Sequence, residues 1–358
     1  MAYNKVIHTT EQTFTRTMPY KMFTDPRVLE EEMEHIFRKS WHLVGHANQV
    51  KEKGQFFTAD VAGEPLLISR GADGELRAFY NVCPHRATKL EKQAAGKKKI
   101  FTCMYHGWTF KTDGSLNRAP NFPKDDPCLS DACLRTVRLE ELNSLLFVNL
   151  DPNARTVRET YGDLADRLEA FDFLPDLQFT HRKTRHLKAN LKAFVANYLE
   201  CDHCHVAHPS FIKTLDMDEY QIFTCENYSY QTSIVKPDQN NLKDAESAGG
   251  DFFWLFPNLM LTIYPGPGNI ASIELVPIDH ENTTIVYTYY FREDSLDKLS
   301  QEERDLMTFA EQVRQEDIEL VELEQIGFGS QAFEYGRYSP SEGAIVQFHQ
   351  LVLEALGK

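Results

Sequence analysis

Asn81-Val82-Cys83-Pro84-His85-Arg86 and Phe101-Thr102-Cys103-Met104-Tyr105-His106-Gly107-Trp108 decide how this chain is read. Each stretch carries one cysteine and, two or three positions later, one histidine. Thiolate and imidazole are both metal ligands, and two short loops that each offer one of them can hold a small inorganic cluster. Four cysteines would suit a plant-type 2Fe–2S cluster. Replacing two by histidine puts Cys83 and Cys103 on one iron and His85 and His106 on the other, and raises the potential. Two cysteines and two histidines can also build a zinc site. Zinc-finger spacing, however, sets the cysteines together and the histidines together, whereas here each loop mixes them.

Outward from these loops, 358 residues leave room for two domains, each with its own core. Hydrophobic content of 42% and charged content of 25% are those of a globular protein. No apolar run approaches the length of a membrane span, and Met1-Ala2-Tyr3-Asn4-Lys5 lacks a signal-peptide core, so no membrane association and a cytoplasmic location are expected. Seven cysteines, an odd number in so long a chain, do not read as a disulfide framework. A formal charge of −15 disfavours nucleic acid as a partner, because phosphate neutralisation needs a basic surface.

Capping by Asp25 with Pro26 behind it predicts a helix over residues 25–40. From Gln55 to Val82, short apolar runs punctuated by Gly63, Gly71 and Gly74 predict hairpins, and Leu145–Leu150 predicts a buried strand. Helical periodicity returns over residues 156–171 and 188–208, the latter stopped by Pro209. Strands are predicted at 252–256, 260–264, 271–276 and 284–291. Ser300 with Glu303 forms a capping box for a long helix to about Ile326, and a last helix spans 341–356. The fold class is α+β: a small all-β domain, then antiparallel strands covered by helices.

A second dense constellation is Asn197-Tyr198-Leu199-Glu200-Cys201-Asp202-His203-Cys204-His205-Val206-Ala207-His208. Three histidines and two carboxylates exceed what a surface helix needs. A mononuclear iron that activates O2 takes two histidines and one carboxylate on one face, leaving open positions. Such an iron needs electrons singly, which a 2Fe–2S cluster delivers, so the two motifs explain each other. Cys201-x-x-Cys204 has a counter-reading as a redox or zinc motif; without a second pair, both are expected to be small buried helix residues with free thiols.

The first pair of loops resembles the Rieske motif of the ring-hydroxylating oxygenase family, written there CPHRG and CPYHGW. This chain departs at Ala87 and Met104, neither of them a ligand. The second constellation resembles the family's catalytic-iron segment. The match implies His203 and His208, not His205, as Fe(II) ligands. Five residues is an awkward helical offset, so the helix is expected to break near Pro209. Glu316-Asp317-Ile318-Glu319-Leu320, ahead of Gln325-Ile326-Gly327-Phe328, matches the downstream element that supplies the third ligand, Asp317; the residues alone would leave it one acid among Glu316, Glu319, Glu322 and Glu324.

The resemblance further implies a Rieske 2Fe–2S domain over 41–155 and a catalytic mononuclear iron domain of helix-grip (START-like) fold over 156–358. An N-terminal helical segment, 1–40, would pack on the latter. It implies a head-to-tail homotrimer in which Glu200 bridges the two metal centres of neighbouring subunits, with His106 as its partner. Glu200-Cys201-Asp202-His203-Cys204 and Phe252-Phe253-Trp254-Leu255-Phe256-Pro257-Asn258 resemble the branch that oxidises quaternary ammonium compounds, choline, betaines and carnitine among them. Asp202 stands where that branch usually has Tyr. The expected reaction is O2-dependent hydroxylation beside a quaternary nitrogen, leading to N-demethylation or C–N cleavage. A separate NAD(P)H-dependent reductase is expected, since the chain has no Gly-rich dinucleotide fingerprint. A trimethylammonium group is held by cation–π contacts, for which Trp254, Phe252, Tyr264 and Tyr289 are the candidate rings. The alternatives are hydroxylation of an aromatic acid, an electron carrier with an appended domain, and a zinc-stabilised binding module.

Overall fold

The computed structural model describes residues 16–123, 126–239, 242 and 245–358. Residues 1–15, the stretch read for a leader and the start of the 1–40 segment, lie outside the described residues. The chain divides into two compact units, Arg38–Val157 and Arg158–Lys358, the latter joined by the described residues up to Phe37.

The first unit holds ten strands: β1 (His42–His46), β2 (Gln55–Val61), β3 (Glu64–Arg70), β4 (Leu76–Tyr80), β5 (Ala95–Lys97), β6 (Ile100–Thr102), β7 (Thr109–Lys111), β8 (Leu116–Arg118), β9 (Thr136–Leu142) and β10 (Leu145–Asn149). Seven form one sheet in the order β1-β10-β9-β4-β3-β2-β5, and three form another, β6-β7-β8. Successive side chains on a strand point to opposite faces, and this splits the apolar runs between two cores. Phe57, Leu66, Ile68 and Ala78 join Val44 and Val148 in one. Phe56, Leu67 and Phe79 join Phe101, Trp108 and Phe110 in the other, which also takes in Cys83 and Cys103. The second core is thus the floor on which both Cys/His loops stand.

The second unit opens with α1 (Lys21–Thr24) and α2 (Pro26–His35). Asp25 caps α2 by accepting from the Arg27 N–H at 3.0 Å, with Pro26 in the first turn where its missing donor costs nothing. Then follow α3 (Val157–Tyr161), α4 (Leu164–Glu169), β11 (Gln178–Leu187), α5 (Leu191–Tyr198), α6 (Cys204–Ala207), α7 (Pro209–Thr214), β12 (Gln221–Thr224), β13 (Tyr228–Ile234), β14 (Gly249–Leu255), β15 (Leu259–Ile263), β16 (Ile270–Asp279), β17 (Asn282–Phe291), α8 (Gln301–Phe328) and α9 (Gly343–Ala355). The seven strands make one antiparallel sheet, β11-β17-β16-β15-β14-β13-β12.

Ser300 and Glu303 form the capping box read from the sequence: the Glu303 N–H donates to Ser300 Oγ at 3.2 Å, and the Ser300 N–H to Glu303 Oε2 at 2.8 Å. The helix runs through Gly327 to Phe328 rather than stopping before it. Ala310 and Val313 of α8 pack with Phe211, Phe252 and Tyr264, so the sheet face and the long helix close on one core. Lys188 and Asn190 donate their backbone N–H groups to Glu322 (3.0 Å) and Gln325 (2.9 Å), fastening the C-terminal half of α8 ahead of α5.

Three sequence expectations need correction. The predicted helix over 188–208 is two helices, α5 and α6, separated by a turn, and Pro209 begins α7 instead of ending a helix. The helix over 156–171 breaks at Gly162, which adopts φ 54°. Strands β11, β12 and β13 have no counterpart in the sequence reading. β11 (Gln-Phe-Thr-His-Arg-Lys-Thr-Arg-His-Leu) lies at a sheet edge with much of its length exposed, so its polar composition hides the strand period. Among the described residues no helix is long and apolar enough to cross a membrane.

Candidate active site

The two Cys/His loops of the first unit fold alike. The Cys83 N–H donates to Thr88 O (2.9 Å) and the Ala87 N–H to Cys83 O (3.0 Å). In the second loop the Cys103 N–H donates to Trp108 O (2.8 Å) and the Gly107 N–H to Cys103 O (3.0 Å). The fourth residue after each cysteine is left-handed, φ 57° at Ala87 and 71° at Gly107. Glycine adopts this conformation freely, whereas Ala87 carries about 1 kcal/mol of strain. Cys83 and Cys103 are buried, His85 is half-buried and His106 is exposed. The two imidazoles lie 4.6 Å apart, and His85 stacks on Trp108 at 4.8 Å. Burial pushes the Cys83 thiol up, so metal binding must displace its proton. A sunken thiol pair below an outward-facing imidazole pair fits a cluster with one iron held by two cysteines and the other by two histidines.

In the second unit, α5 ends at Tyr198 and the chain turns through Glu200 into His203, the residue before α6. His208 sits at the break between α6 and α7 with φ −120° and ψ 71°. The break turns His208 back toward His203 and removes the mismatch that five residues of regular helix would impose. His203 Nε2 and His208 Nε2 are 3.1 Å apart; Asp317 Oδ1, from α8, is 2.9 Å from the latter and 3.4 Å from the former. Ligands about 2.1 Å from a metal at right angles stand about 3.0 Å apart, so this triangle matches three neighbouring positions around one ion and leaves its other side open. His205 is exposed and takes no part.

Each histidine is held from behind by a carboxylate. His203 Nδ1 pairs with Glu200 Oε1, and Glu200 Oε2 also accepts from the His203 backbone N–H at 3.2 Å. His208 Nδ1 donates to Glu316 Oε2 at 2.8 Å. Such partners fix the ring and direct the Nε2 lone pair at the metal. In the sequence Glu316 is only one of several neighbouring acids; the signal that could have found it is its place beside Asp317 on the helix. Burial disfavours the Asp317 carboxylate, but hydrogen bonds from His203 and His208 outweigh it and hold the group ionised.

Cys201 and Cys204, expected as free thiols, are instead joined by a disulfide. Cys201 lies in the turn before α6 and Cys204 opens it, with Cα atoms 5.0 Å apart, inside bridging range. Cys204 Sγ is 3.9 Å from His203 Nε2 but is committed to that bond.

A half-open cavity, its volume about 520 Å³ with the solvent at its mouth included, lies beside the triangle. Phe211 and Phe252 (5.7 Å), Phe252 and Tyr264 (5.6 Å) and Phe211 and Tyr220 (6.4 Å) make a continuous ring wall, with Tyr198 also lining it. Of the four candidate rings, Phe252 and Tyr264 face the cavity. Trp254, two residues along β14, does not; its indole packs edge-on against Phe348 of α9 at 5.3 Å and is fully buried there. Tyr289 stands behind the lining and accepts a hydrogen bond from Arg314 Nη1 at 2.6 Å. Phe211, Tyr220 and Arg314 carry no motif in the sequence, and only the fold brings them to Tyr198 and the iron-site segment.

Against known proteins, residues 40–138 match the Rieske [2Fe-2S] domain, and residues 174–358 match the ring hydroxylating alpha subunit (catalytic domain). The chain belongs to the ring-hydroxylating alpha-subunit family. This oxygenase is 37% identical over 351 residues to the carnitine monooxygenase oxygenase subunit of Escherichia coli (strain K12), covering 94% of this chain and 93% of that protein. It is 33% identical over 353 residues to the chloroplastic choline monooxygenase of Beta vulgaris, covering 95% of this chain and 77% of that protein. The crystal structure of the quaternary ammonium Rieske monooxygenase CntA in complex with L-carnitine superposes with a TM-score of 0.85 at 34% identity, over 95% of each chain. The oxygenase is therefore a Rieske-type non-haem iron monooxygenase, and its cofactors are a Rieske 2Fe–2S cluster and a mononuclear Fe(II). The zinc-module and simple electron-carrier alternatives fall with that membership.

Proposed function

We propose that this oxygenase uses O2 and electrons from a separate NAD(P)H-dependent reductase to hydroxylate a quaternary ammonium compound beside its nitrogen. One observation carries the reading: the ring wall of Tyr220, Phe211, Phe252 and Tyr264 borders the same cavity as His203, His208 and Asp317. A trimethylammonium group has no N–H to donate, and each ring it faces contributes about 0.5–2 kcal/mol. Similarity to the carnitine and choline monooxygenases supports the same substrate class.

In this reading Cys83, His85, Cys103 and His106 hold the cluster, and His203, His208 and Asp317 hold the iron. When bound, the cluster supplies electrons singly and the iron supplies reductive activation of O2. The chain's own residues do the rest. Glu200 and Glu316 keep both imidazoles in their ligating orientation, and the rings seat the cation against an apolar wall. Residues 41–155 then form the cluster domain and 156–358 the catalytic domain.

The working form is proposed to be a cytoplasmic head-to-tail homotrimer in which Glu200 links one subunit's iron ligand to His106 of its neighbour. Exposed apolar side chains support it: Met104 (66%) and Tyr105 (55%) beside His106, Val206 (87%) two residues before His208, and Leu323 (67%) and Ile326 (73%) further along α8 from Asp317.

A second reading, hydroxylation of an aromatic acid, draws on Arg314 in the cavity wall. A single-turnover experiment separates the two. Pre-reduced enzyme meets O2 with choline, glycine betaine, L-carnitine, proline betaine or aromatic acids, and product, formaldehyde, released amine and cluster oxidation are followed. Product from a quaternary amine is expected; turnover of an aromatic acid alone would overturn the reading.

A further inference from the structure

Arg314 is 4% exposed and lines the cavity from α8. Its guanidinium lies over the rings of Tyr287 (4.7 Å) and Tyr289 (5.2 Å), and Nη1 donates to the Tyr289 hydroxyl. Nε and Nη2 are buried and have no partner among the described residues. Of the acids near it on α8, Glu311 pairs with Lys183 at 2.7 Å and also meets the Tyr289 hydroxyl, Glu316 pairs with His208, and Asp317 Oδ1 with both iron-site histidines, and none of them takes the idle Nε or Nη2. A buried permanent cation with two idle donors is a costly arrangement unless something arrives to use them.

The chemistry of what arrives follows from which donors are idle. Nε–H and one Nη2–H point the same way along one edge of the guanidinium plane, at the spacing of the two oxygens of a carboxylate. Arg314 and Asp317 are three residues apart, so they project from one face of α8 with an axial rise of only about 4.5 Å between their Cα atoms. The ring wall, including Tyr264 and Phe252, borders the same space.

We infer that Arg314 anchors a substrate carboxylate, so that the substrate is a zwitterion, its quaternary nitrogen against the rings near the iron ligands and its carboxylate forked onto Arg314 Nε and Nη2. This rests on the quaternary-ammonium reading above and narrows it: betaines that end in a carboxylate are substrates, and choline, which ends in a hydroxyl, is not. A hydroxyl offers one acceptor where the fork needs two, and a buried polar site rejects a ligand that leaves its donors idle.

The test is anaerobic calorimetric titration of metal-loaded enzyme, in which binding is read without turnover. The probes are γ-butyrobetaine, its methyl ester, L-carnitine, choline and benzoate. Wild type is expected to bind γ-butyrobetaine or L-carnitine about 100-fold or more tightly than the ester or choline. Arg314→Met is expected to abolish that preference while keeping affinity for the ester. Arg314→Lys, which keeps the charge and loses the fork, is expected to restore part of it. Cluster absorbance and iron content report whether each variant has folded, and the acid-against-ester comparison on wild type needs no variant. Equal affinity of wild type for acid and ester would overturn the anchor and leave the quaternary-ammonium reading standing. Binding of benzoate through Arg314, with no quaternary amine bound, would overturn that reading and the zwitterion with it.

Discussion

Glu200 and Glu316 stand in matching positions behind the two histidines, yet different consequences are expected from altering them. Glu316 supports only His208, through Nδ1, so Glu316→Gln should weaken iron retention about 10-fold, with turnover falling in proportion to the iron lost. Iron content and rate after dialysis against a chelator measure both. Glu200 is the proposed link to the next subunit as well as the support of His203. Glu200→Gln is therefore expected to lose about 10–100-fold in turnover per bound iron, beyond any effect of iron lost. Coupled O2 consumption unchanged from wild type would remove the bridging role. At this scale the ligand types were legible, because thiolate, imidazole and carboxylate have few other uses in such density. What recruits Glu316 and Arg314 to the site was not: both look like ordinary residues of a charged helix until the fold turns their face inward.

Helix α2 is fastened by a buried ion pair, Lys192 with Glu32 at 2.9 Å, each 2% exposed. Burial works against both charges, pushing Glu32 up and Lys192 down, and their mutual attraction offsets only part of it. Glu32→Ala is expected to cost about 3–5 kcal/mol, because it leaves Lys192 buried alone, while Glu32→Leu with Lys192→Met should recover most of that loss in chemical denaturation. Nearby, Phe23 of α1 stacks on Phe328 of α8 at 4.4 Å and meets His349 of α9 edge-on. Burial, helped by the Lys192 charge, lowers His349 to about 3. A histidine kept neutral in the fold but free to protonate when unfolded favours unfolding as pH drops below its ordinary value of about 6.5, by about 1.4 kcal/mol per pH unit toward its folded value. The fall in Tm from pH 7 to pH 5 should therefore be smaller in His349→Gln than in wild type. Elements with strong local signals, such as the capping box of α8 and the strands β14 to β17, could be read from sequence. The α5–α6–α7 region could not, because Pro209 is equally at home after a helix and at the start of one, and only packing chooses.

For the molecule as a whole, the proposed trimer puts the exposed apolar side chains named above, Leu323 and Ile326 of α8 among them, under a neighbouring subunit. Leu323→Asp with Ile326→Asp is expected to yield smaller species by light scattering, with both cofactors bound and turnover lost. A trimer unaffected by the pair would move the interface elsewhere. The sequence, read without its fold, offers a chain of −15 and nothing about how that charge is distributed. The structure allows a local account. Asp317, Glu200 and Glu316 supply three negative charges around the iron position, and Arg314 supplies one positive. Ferrous iron would cancel the remainder, leaving a chamber that is electrically neutral before anything enters. A zwitterion preserves that neutrality on arrival, whereas a simple cation or a simple anion would each bring an uncompensated charge out of water. On the proposed reading, a chamber balanced in this way would favour guests of zero total charge, before any single contact has been made.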